Sequence, residues 1–326
     1  MCWLHRITGE QFAKKTETVR GSLLTTGEEK NTVTTLAERR IDRYRTRVDG
    51  PAPLVGRTDP AVWGKTDSPM LRRFDADGYT IIDELLSPAE AADLVSEIER
   101  LESDPDLRCD ERVVIEKKSD RVRSIFEVHR ISPSIEKLVR DERVAGLARQ
   151  VLGSEVYLHQ SRVNYMPGFD GAGFYWHSDF ETWHAEDGMP LPRAVSLSIA
   201  LTENLPYNGS LMVIPGSHRV FVPCRGETPD EHYRESLREQ RIGVPSEEHV
   251  AELASGRGIA QFTGRPGSAL LFDSNVMHGS ANNITPFRRS NVFLVFNSVE
   301  NVLGAPYAAS APRPAHIAAR DFTPVR

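Results

Sequence analysis

The chain has 326 residues, 40 Lys and Arg against 46 Asp and Glu for a net charge of −6, ten histidines, three cysteines and 39% hydrophobic residues. That length can bury one large core or two ordinary ones, and the acidic balance excludes a dedicated nucleic-acid binder, which would carry a basic excess. Cys2, Cys109 and Cys224 form no CxxC pair and no apolar run approaches the ~18 residues of a membrane span, so a soluble, non-secreted protein of a reducing cytoplasm is expected, without disulfide framework, cysteine-rich zinc site or membrane partner.

Residues 1–40 are polar, rich in Thr, Arg, Lys and Glu, and have no sustained apolar period. They read as a disordered or arm-like extension ahead of a single domain over residues 41–326. Ile41 to Lys65, with Pro51, Pro53 and Pro60, reads as an extended arm lying on that domain. Regular structure is expected from Phe74–Ile82, with Asp77-Gly78 as a turn before a strand. Ser87-Pro88-Ala89-Glu90 has the form of a capping box, and Leu94, Val95, Ile98 and Leu101 give its helix one apolar stripe. A second helix is expected after Ser132-Pro133, running through Ile135, Leu138, Val144, Leu147 and Val151 to Gly153.

From Val156 the pattern changes to short strand-like segments: Tyr157–Tyr165, Phe174–His177, Ala194–Leu201, Ser210–Ile214, Ala269–Phe272 and Asn291–Ser298. Six such segments separated by Gly, Pro and Asn predict a mainly β jelly-roll barrel of the double-stranded β-helix kind, with the helices on its flank. The charged stretch near 223–258 reads as a helical insertion or lid over one mouth.

The chemistry concentrates in Phe174–His184, FYWHSDFETWH. On a strand, residues two apart share a face, so His177 and Asp179 are expected to aim an imidazole nitrogen and a carboxylate at one point. A second, distant histidine would complete the facial triad that holds Fe(II) with adjacent positions open. His278 follows the buried run Ala269–Phe272 and opens the turn His278-Gly279-Ser280, which makes it the candidate. If 2-oxoglutarate chelated the metal, its far carboxylate would need a buried planar donor, which Arg supplies better than Lys. Arg289 at the next strand shares its face with Asn291 and Phe293, and alternation turns Arg288 away. Glu181 shares the face of Asp179 and stands as a fallback carboxylate or a partner of the ligands.

The run FYWHSDFETWHAEDGMPLPRA (174–194), the segment NGSLMVIPGSH (208–218) and HGSANNITPFRRSNVFLVFNSVEN (278–301) resemble the ectoine hydroxylases, within the phytanoyl-CoA-dioxygenase-like branch of the Fe(II)/2-oxoglutarate oxygenases. The resemblance covers about Arg43 to Glu300. It implies Fe(II) ligation by His177, Asp179 and His278, 2-oxoglutarate contacts from Phe174, Asn164, Ser280 and Arg289, and substrate contacts from Gln160, Trp183, Phe272, Asn291 and Phe293. The implied reaction consumes O2 and 2-oxoglutarate, hydroxylates ectoine to 5-hydroxyectoine, and releases succinate and CO2. An amidine zwitterion needs amides for its polar edges and aromatic rings for its faces. Asp179 also separates hydroxylases from related halogenases, which carry a small residue there.

For the remaining histidines, His184 and His218 among them, packing or turn roles are expected. Two other readings stay open in the sequence: a sibling dioxygenase acting on another small molecule such as an amino acid, and a non-catalytic cupin-like binding module. A jelly-roll edge and an N-terminal arm are compatible with a homodimer.

Overall fold

Each of the first helices starts where serine precedes proline. Ser68, Ser87 and Ser132 cap α1 (Pro69–Asp77), α2 (Pro88–Glu102) and α3 (Pro133–Arg140) by accepting from the amide three residues on. The capping box of α2 is complete: Glu90 N donates to Ser87 Oγ at 3.3 Å and Ser87 N to Glu90 Oε2 at 2.8 Å. Two expectations change. Phe74 is not the start of regular structure but part of α1, and Gly78, at φ 80°, ends that helix in the left-handed region open to glycine. The helix expected to run from Ser132 to Gly153 is interrupted, because Asp141 turns extended (ψ 130°) and its carboxylate accepts from Arg143 N. A π turn covers Glu142–Gly146, and α4 resumes over Leu147–Leu152.

The structure is a computed structural model that describes residues 42–117 and 119–326, so the extension expected over 1–40 lies outside the described residues. Arg43–Arg326 form one unit. Its strands are β1 (Val55–Gly56), β2 (Tyr79–Ile82), β3 (Val113–Ile115), β4 (Val122–Phe126), β5 (Val156–Met166), β6 (Phe174–His177), β7 (Ala194–Ala200), β8 (Leu211–Val213), β9 (Val220–Phe221), β10 (Ala260–Gln261), β11 (Ala269–Asp273), β12 (His278–Ser280) and β13 (Arg289–Ser298). A seven-stranded sheet runs β2-β11-β7-β13-β5-β4-β3, and a four-stranded sheet runs β10-β8-β12-β6. All pairings are antiparallel, including the small β1–β9 pair. This is the jelly-roll architecture that the strand spacing predicts, with β3 and β4 added to its edge.

Alternation divides the large sheet into a helix-facing side and a barrel-facing side. Along β13, Val292, Leu294 and Phe296 join the core beneath the helices with Phe74, Leu94, Ile98, Ile135 and Val151, whereas Arg289 and Phe293 line the barrel cavity. β5 keeps the same division only by a bulge. Val295 pairs with Gln160 and Phe296 with Leu158, so His159 is an extra residue. Leu158 on one side of the bulge and Val163 on the other both reach the helix core, while Gln160, Arg162 and Asn164 face the cavity.

The arm expected over 41–65 lies along the barrel where it is described. Tyr44 is buried against Phe180 and Phe221, β1 pairs with β9, and Arg57 forms a buried ion pair with Asp273 at 2.8 Å. The charged stretch holds α6 (Tyr233–Ser236) and α7 (Glu247–Arg257). In α7, Val250, Leu253 and Ala254 pack on Ile214, Val222 and Met277, whereas Ser236, Leu237 and Gln240 reach the cavity between the sheets. No helix of the described residues is long and apolar enough to cross a membrane.

Candidate active site

β6 ends at His177, and Ser178 caps the short helix α5 (Asp179–Thr182) with its Oγ accepting from Glu181 N at 3.4 Å. Asp179 therefore opens a helix; it does not continue the strand as alternation predicts, and the turn itself brings its carboxylate back beside His177. Pairing of β12 with β6 sets His278 opposite His177, with ring centroids 4.2 Å apart. Asp179 Oδ1 lies 3.8 Å from Nε2 of each ring. One ligand atom from each residue falls within 4.8 Å of the others, a grouping found nowhere else among the described residues.

These residues fit a divalent iron. His177 Nδ1 donates to Tyr175 O at 2.7 Å and His278 Nδ1 to Val276 O at 3.0 Å, which fixes the tautomers and leaves both Nε2 lone pairs free. Burial, reinforced by His278, pushes the His177 pKa down to about 3, so its imidazole is neutral at ordinary pH. Two neutral nitrogens and one carboxylate on one side of an otherwise open point are the facial triad of a non-haem Fe(II) centre. Phe272 stacks obliquely on His278 at 5.0 Å and steadies that ring.

Glu181 is no fallback ligand. Two residues along a helix rotate a side chain by about 200°, and its carboxylate points to Arg47 (Nε 2.8 Å, Nη2 3.1 Å) and Thr46 Oγ1 (2.6 Å). Arg47 also holds Glu186 at 3.1 Å. His184 is buried, stacked on Tyr307 at 3.9 Å with Nδ1 donating to Met189 O, and His218 donates to Asp75 O, which are the packing and turn roles expected.

One cavity between the sheets is lined by Gln160, Asn164, Phe174, His177, Asp179, Trp183, His278, Arg289 and Phe293, all residues singled out from the sequence. Ser280, Phe272 and Asn291 are not among the lining residues, but each adjoins one: Ser280 at Phe174, Phe272 at His278, and Asn291 opposite Asn164. Ser280 Oγ accepts from Phe174 N at 3.1 Å, and Asn291 Nδ2 donates to Ser198 Oγ at 2.9 Å while its Oδ1 is buried without a partner. Arg289 is buried and Arg288 is exposed and pairs with Glu99, as alternation predicts.

The lining also contains Arg162, Thr182, Glu186 and Arg313, which the sequence reading passed over. Arg162 had a signal: it lies two residues from both Gln160 and Asn164 on one strand face. Arg313 had none, sitting in an irregular C-terminal stretch, where it clamps Asp187 through Nε at 2.9 Å and Nη2 at 2.6 Å. Arg162 Nε and Arg289 Nη1 are buried without a hydrogen-bond partner, and neither guanidinium forms an ion pair among the described residues. Burial lowers the pKa of both, that of Arg289 to about 10 with the charge of Arg123 adding to the effect. Both remain cations at neutral pH. Arg162 is steadied by the Phe293 ring, 4.9 Å from its Cζ, by the more distant Phe126 ring at 5.8 Å, and by the charge of Asp179. A roomier depression between α3 and residues 319–325 is lined by groups already paired, such as Arg130 with Asp321 and Arg140 with Glu136, and offers no ligand cluster.

Comparison with known proteins agrees with this geometry. The family model for phytanoyl-CoA dioxygenase matches residues 74–291. The ectoine dioxygenase of Nocardia farcinica is 68% identical over 286 residues, which span 88% of this chain and 96% of the relative. That of Streptomyces coelicolor is 54% identical over 300 residues, 90% of this chain and 100% of the relative. The crystal structure of EctD from S. alaskensis with 2-oxoglutarate and 5-hydroxyectoine superposes with a TM-score of 0.79 at 46% identity, covering 87% of this chain and 96% of that one. The same enzyme with bound Fe gives a TM-score of 0.77 at 45% identity over 87% and 97%. The chain belongs to the phytanoyl-CoA dioxygenase family and, within it, to the ectoine dioxygenases, and it is an Fe(II)- and 2-oxoglutarate-dependent dioxygenase.

Proposed function

We propose that the chain hydroxylates ectoine to 5-hydroxyectoine, with O2 and 2-oxoglutarate consumed and succinate and CO2 released. The observation that carries this reading is the pair of buried guanidiniums without anions, Arg162 and Arg289, facing one cavity beside a His-Asp-His group. Two guanidiniums facing a cavity with no ion-pair partner are unfavourable in a folded chain unless ligands supply the anions. A 2-oxo diacid and a substrate carboxylate supply them.

His177, Asp179 and His278 hold the iron. When bound, Fe(II) supplies the oxidative chemistry that splits 2-oxoglutarate and delivers one oxygen atom to the substrate ring. Everything else falls to the chain's own groups. Arg289 takes the far carboxylate of 2-oxoglutarate in a charge-assisted fork. Ser280 Oγ already accepts from Phe174 N, and Asn164 Oδ1 accepts from Ser124 Oγ, so each turns a donor hydrogen toward the co-substrate. The ring of Phe174 walls off its carbon chain.

Arg162 takes the ectoine carboxylate. Gln160 Nε2 donates to Ile317 O at 2.7 Å, which leaves its carbonyl oxygen to accept from an amidine N–H. Trp183 and Phe293 bracket the ring, and Glu186, the one carboxylate of the lining besides Asp179, faces the delocalised cation. Phe272 and Asn291 act from behind, through His278 and Ser198. Closure by side chains from both sheets and from Ser236–Gln240 keeps water from the reacting carbon. A cytoplasmic setting, where Fe(II) and 2-oxoglutarate are both at hand, belongs to the same reading.

Turnover tests it. Purified protein reconstituted with Fe(II) under anaerobic conditions, then given 2-oxoglutarate, O2 and ectoine, should yield 5-hydroxyectoine and succinate in equal amounts. Succinate formed only with a different acceptor would replace ectoine as the substrate.

A further inference from the structure

Arg123 is the largest fully buried side chain in the described residues and lies outside the cavity lining. It sits in the wholly buried β4, where a cation is retained only with compensation. Its one carboxylate partner is Glu116, with Nη1 to Oε1 at 2.8 Å. The other N–H groups go to main-chain carbonyls of two remote loops: Nη1 donates to Ala172 O at 2.8 Å, Nη2 to Gly173 O at 3.2 Å, and Nε to Leu237 O at 3.2 Å. Cζ lies 3.9 Å over the ring of Phe174. Glu116 Oε1 also accepts from Ala172 N at 3.3 Å, so both partners of the ion pair grip the same loop.

One planar fork thus ties together the segment that enters β6, which carries Phe174 and His177, and the segment that brings Ser236, Leu237 and Gln240 over the cavity. We infer that Arg123 is a positioning residue that couples the 2-oxoglutarate seat to the roof over the substrate. The inference rests on the reading of Phe174 and Arg289 as that seat.

The coupling has a physical route. Arg123 and Arg289 are like charges close enough to disfavour one another, and a carboxylate bound to Arg289 relieves that repulsion. It also presses the co-substrate chain on Phe174, whose ring lies beneath Arg123. Both effects hold the guanidinium where it grips Leu237 O, so the roof firms when 2-oxoglutarate is present, and by reciprocity a firm roof favours 2-oxoglutarate. Lysine would keep the charge but not the fork that serves four acceptors in one plane.

Hydrogen exchange across residues 233–240, measured on the iron-loaded protein with and without 2-oxoglutarate, tests the coupling without any variant. Slower exchange with the co-substrate is expected, and unchanged exchange overturns the inference. In Arg123→Lys the co-substrate should no longer slow exchange there, KM for both 2-oxoglutarate and ectoine should rise about fivefold or more with a smaller change in kcat, and succinate should exceed 5-hydroxyectoine. An Arg123→Lys protein with unaltered coupling ratio and KM values would assign Arg123 to stability alone. Arg289→Ala separates the two readings: if it leaves the KM for 2-oxoglutarate unchanged, the seat is misplaced, whereas a raised KM beside an unaltered Arg123→Lys enzyme removes only the role given to Arg123.

Discussion

At Arg162, burial without an anion makes opposite predictions for the free and the liganded protein. Replacing it with Met removes a desolvated cation, so thermal unfolding of the ligand-free protein should occur at an equal or higher temperature than in the wild type. The same change deletes the proposed carboxylate anchor, worth roughly 1.5–3 kcal/mol, so KM for ectoine should rise roughly ten- to a hundredfold while that for 2-oxoglutarate moves much less. Steady-state kinetics with each substrate varied in turn checks the pair. Arg289→Ala should show the reverse preference. Asp179→Ala should abolish turnover, and retained hydroxylation would mean that the carboxylate ligand is another residue. The grouping of His177, Asp179 and His278 was legible in the sequence because the short His-x-Asp spacing and a late histidine before a Gly turn are rare together, although the strand parity invoked for Asp179 was not the reason they meet. The inward side of Arg289 was legible because alternation decides between it and Arg288. Arg162 carried the same strand parity as Gln160 and Asn164, but a mid-strand arginine ordinarily reads as an outward, solvated residue.

Among the elements, α5 shows how a helix can do what a strand was expected to do. His177 and Asp179 converge because Ser178 ends one element and caps the next, and the helical rotation that follows sends Glu181 toward the arm. Arg47, itself at φ 57°, is thereby the anchor of the ligand-bearing helix. Arg47→Ala leaves the buried Glu181 with no ion-pair partner and Glu186 with only the charge of Arg313, and should lower stability by about 3–5 kcal/mol, read from chemical denaturation midpoints. Arg47→Ala combined with Glu181→Gln should recover part of that loss, since one of the stranded charges is removed as well. Capped helices and turn-bounded strands were readable because their signals are local. The break at Asp141 and the bulge at His159 were not, since an aspartate capping its own helix restart and a one-residue parity shift leave the apolar period of their neighbours almost intact.

Across the whole molecule the barrel behaves as a positively charged container whose sheet walls are in place before ligands arrive. Fe(II), Arg162 and Arg289 outweigh Asp179, and a dianionic co-substrate together with a substrate carboxylate restores the balance. 2-Oxoglutarate added to the iron-loaded protein should therefore raise the unfolding temperature, by about 2.7 kcal/mol of added stability at a concentration a hundredfold above Kd, and the rise should vanish in Arg289→Ala. Differential scanning calorimetry of the two proteins decides this. The barrel class was visible from strand rhythm alone. The C-terminal contribution was not, because Arg313 and Ile317 come from an irregular stretch with no periodicity, yet they meet Asp187 and Gln160 at the cavity wall. The structure of the protein crystallised without oxygen, with Fe(II), 2-oxoglutarate and ectoine, tests the central assignment most directly: the far carboxylate of 2-oxoglutarate should lie on Arg289 and the ectoine carboxylate on Arg162, whereas an ectoine carboxylate held elsewhere, with Arg162 still without an anion, would contradict it.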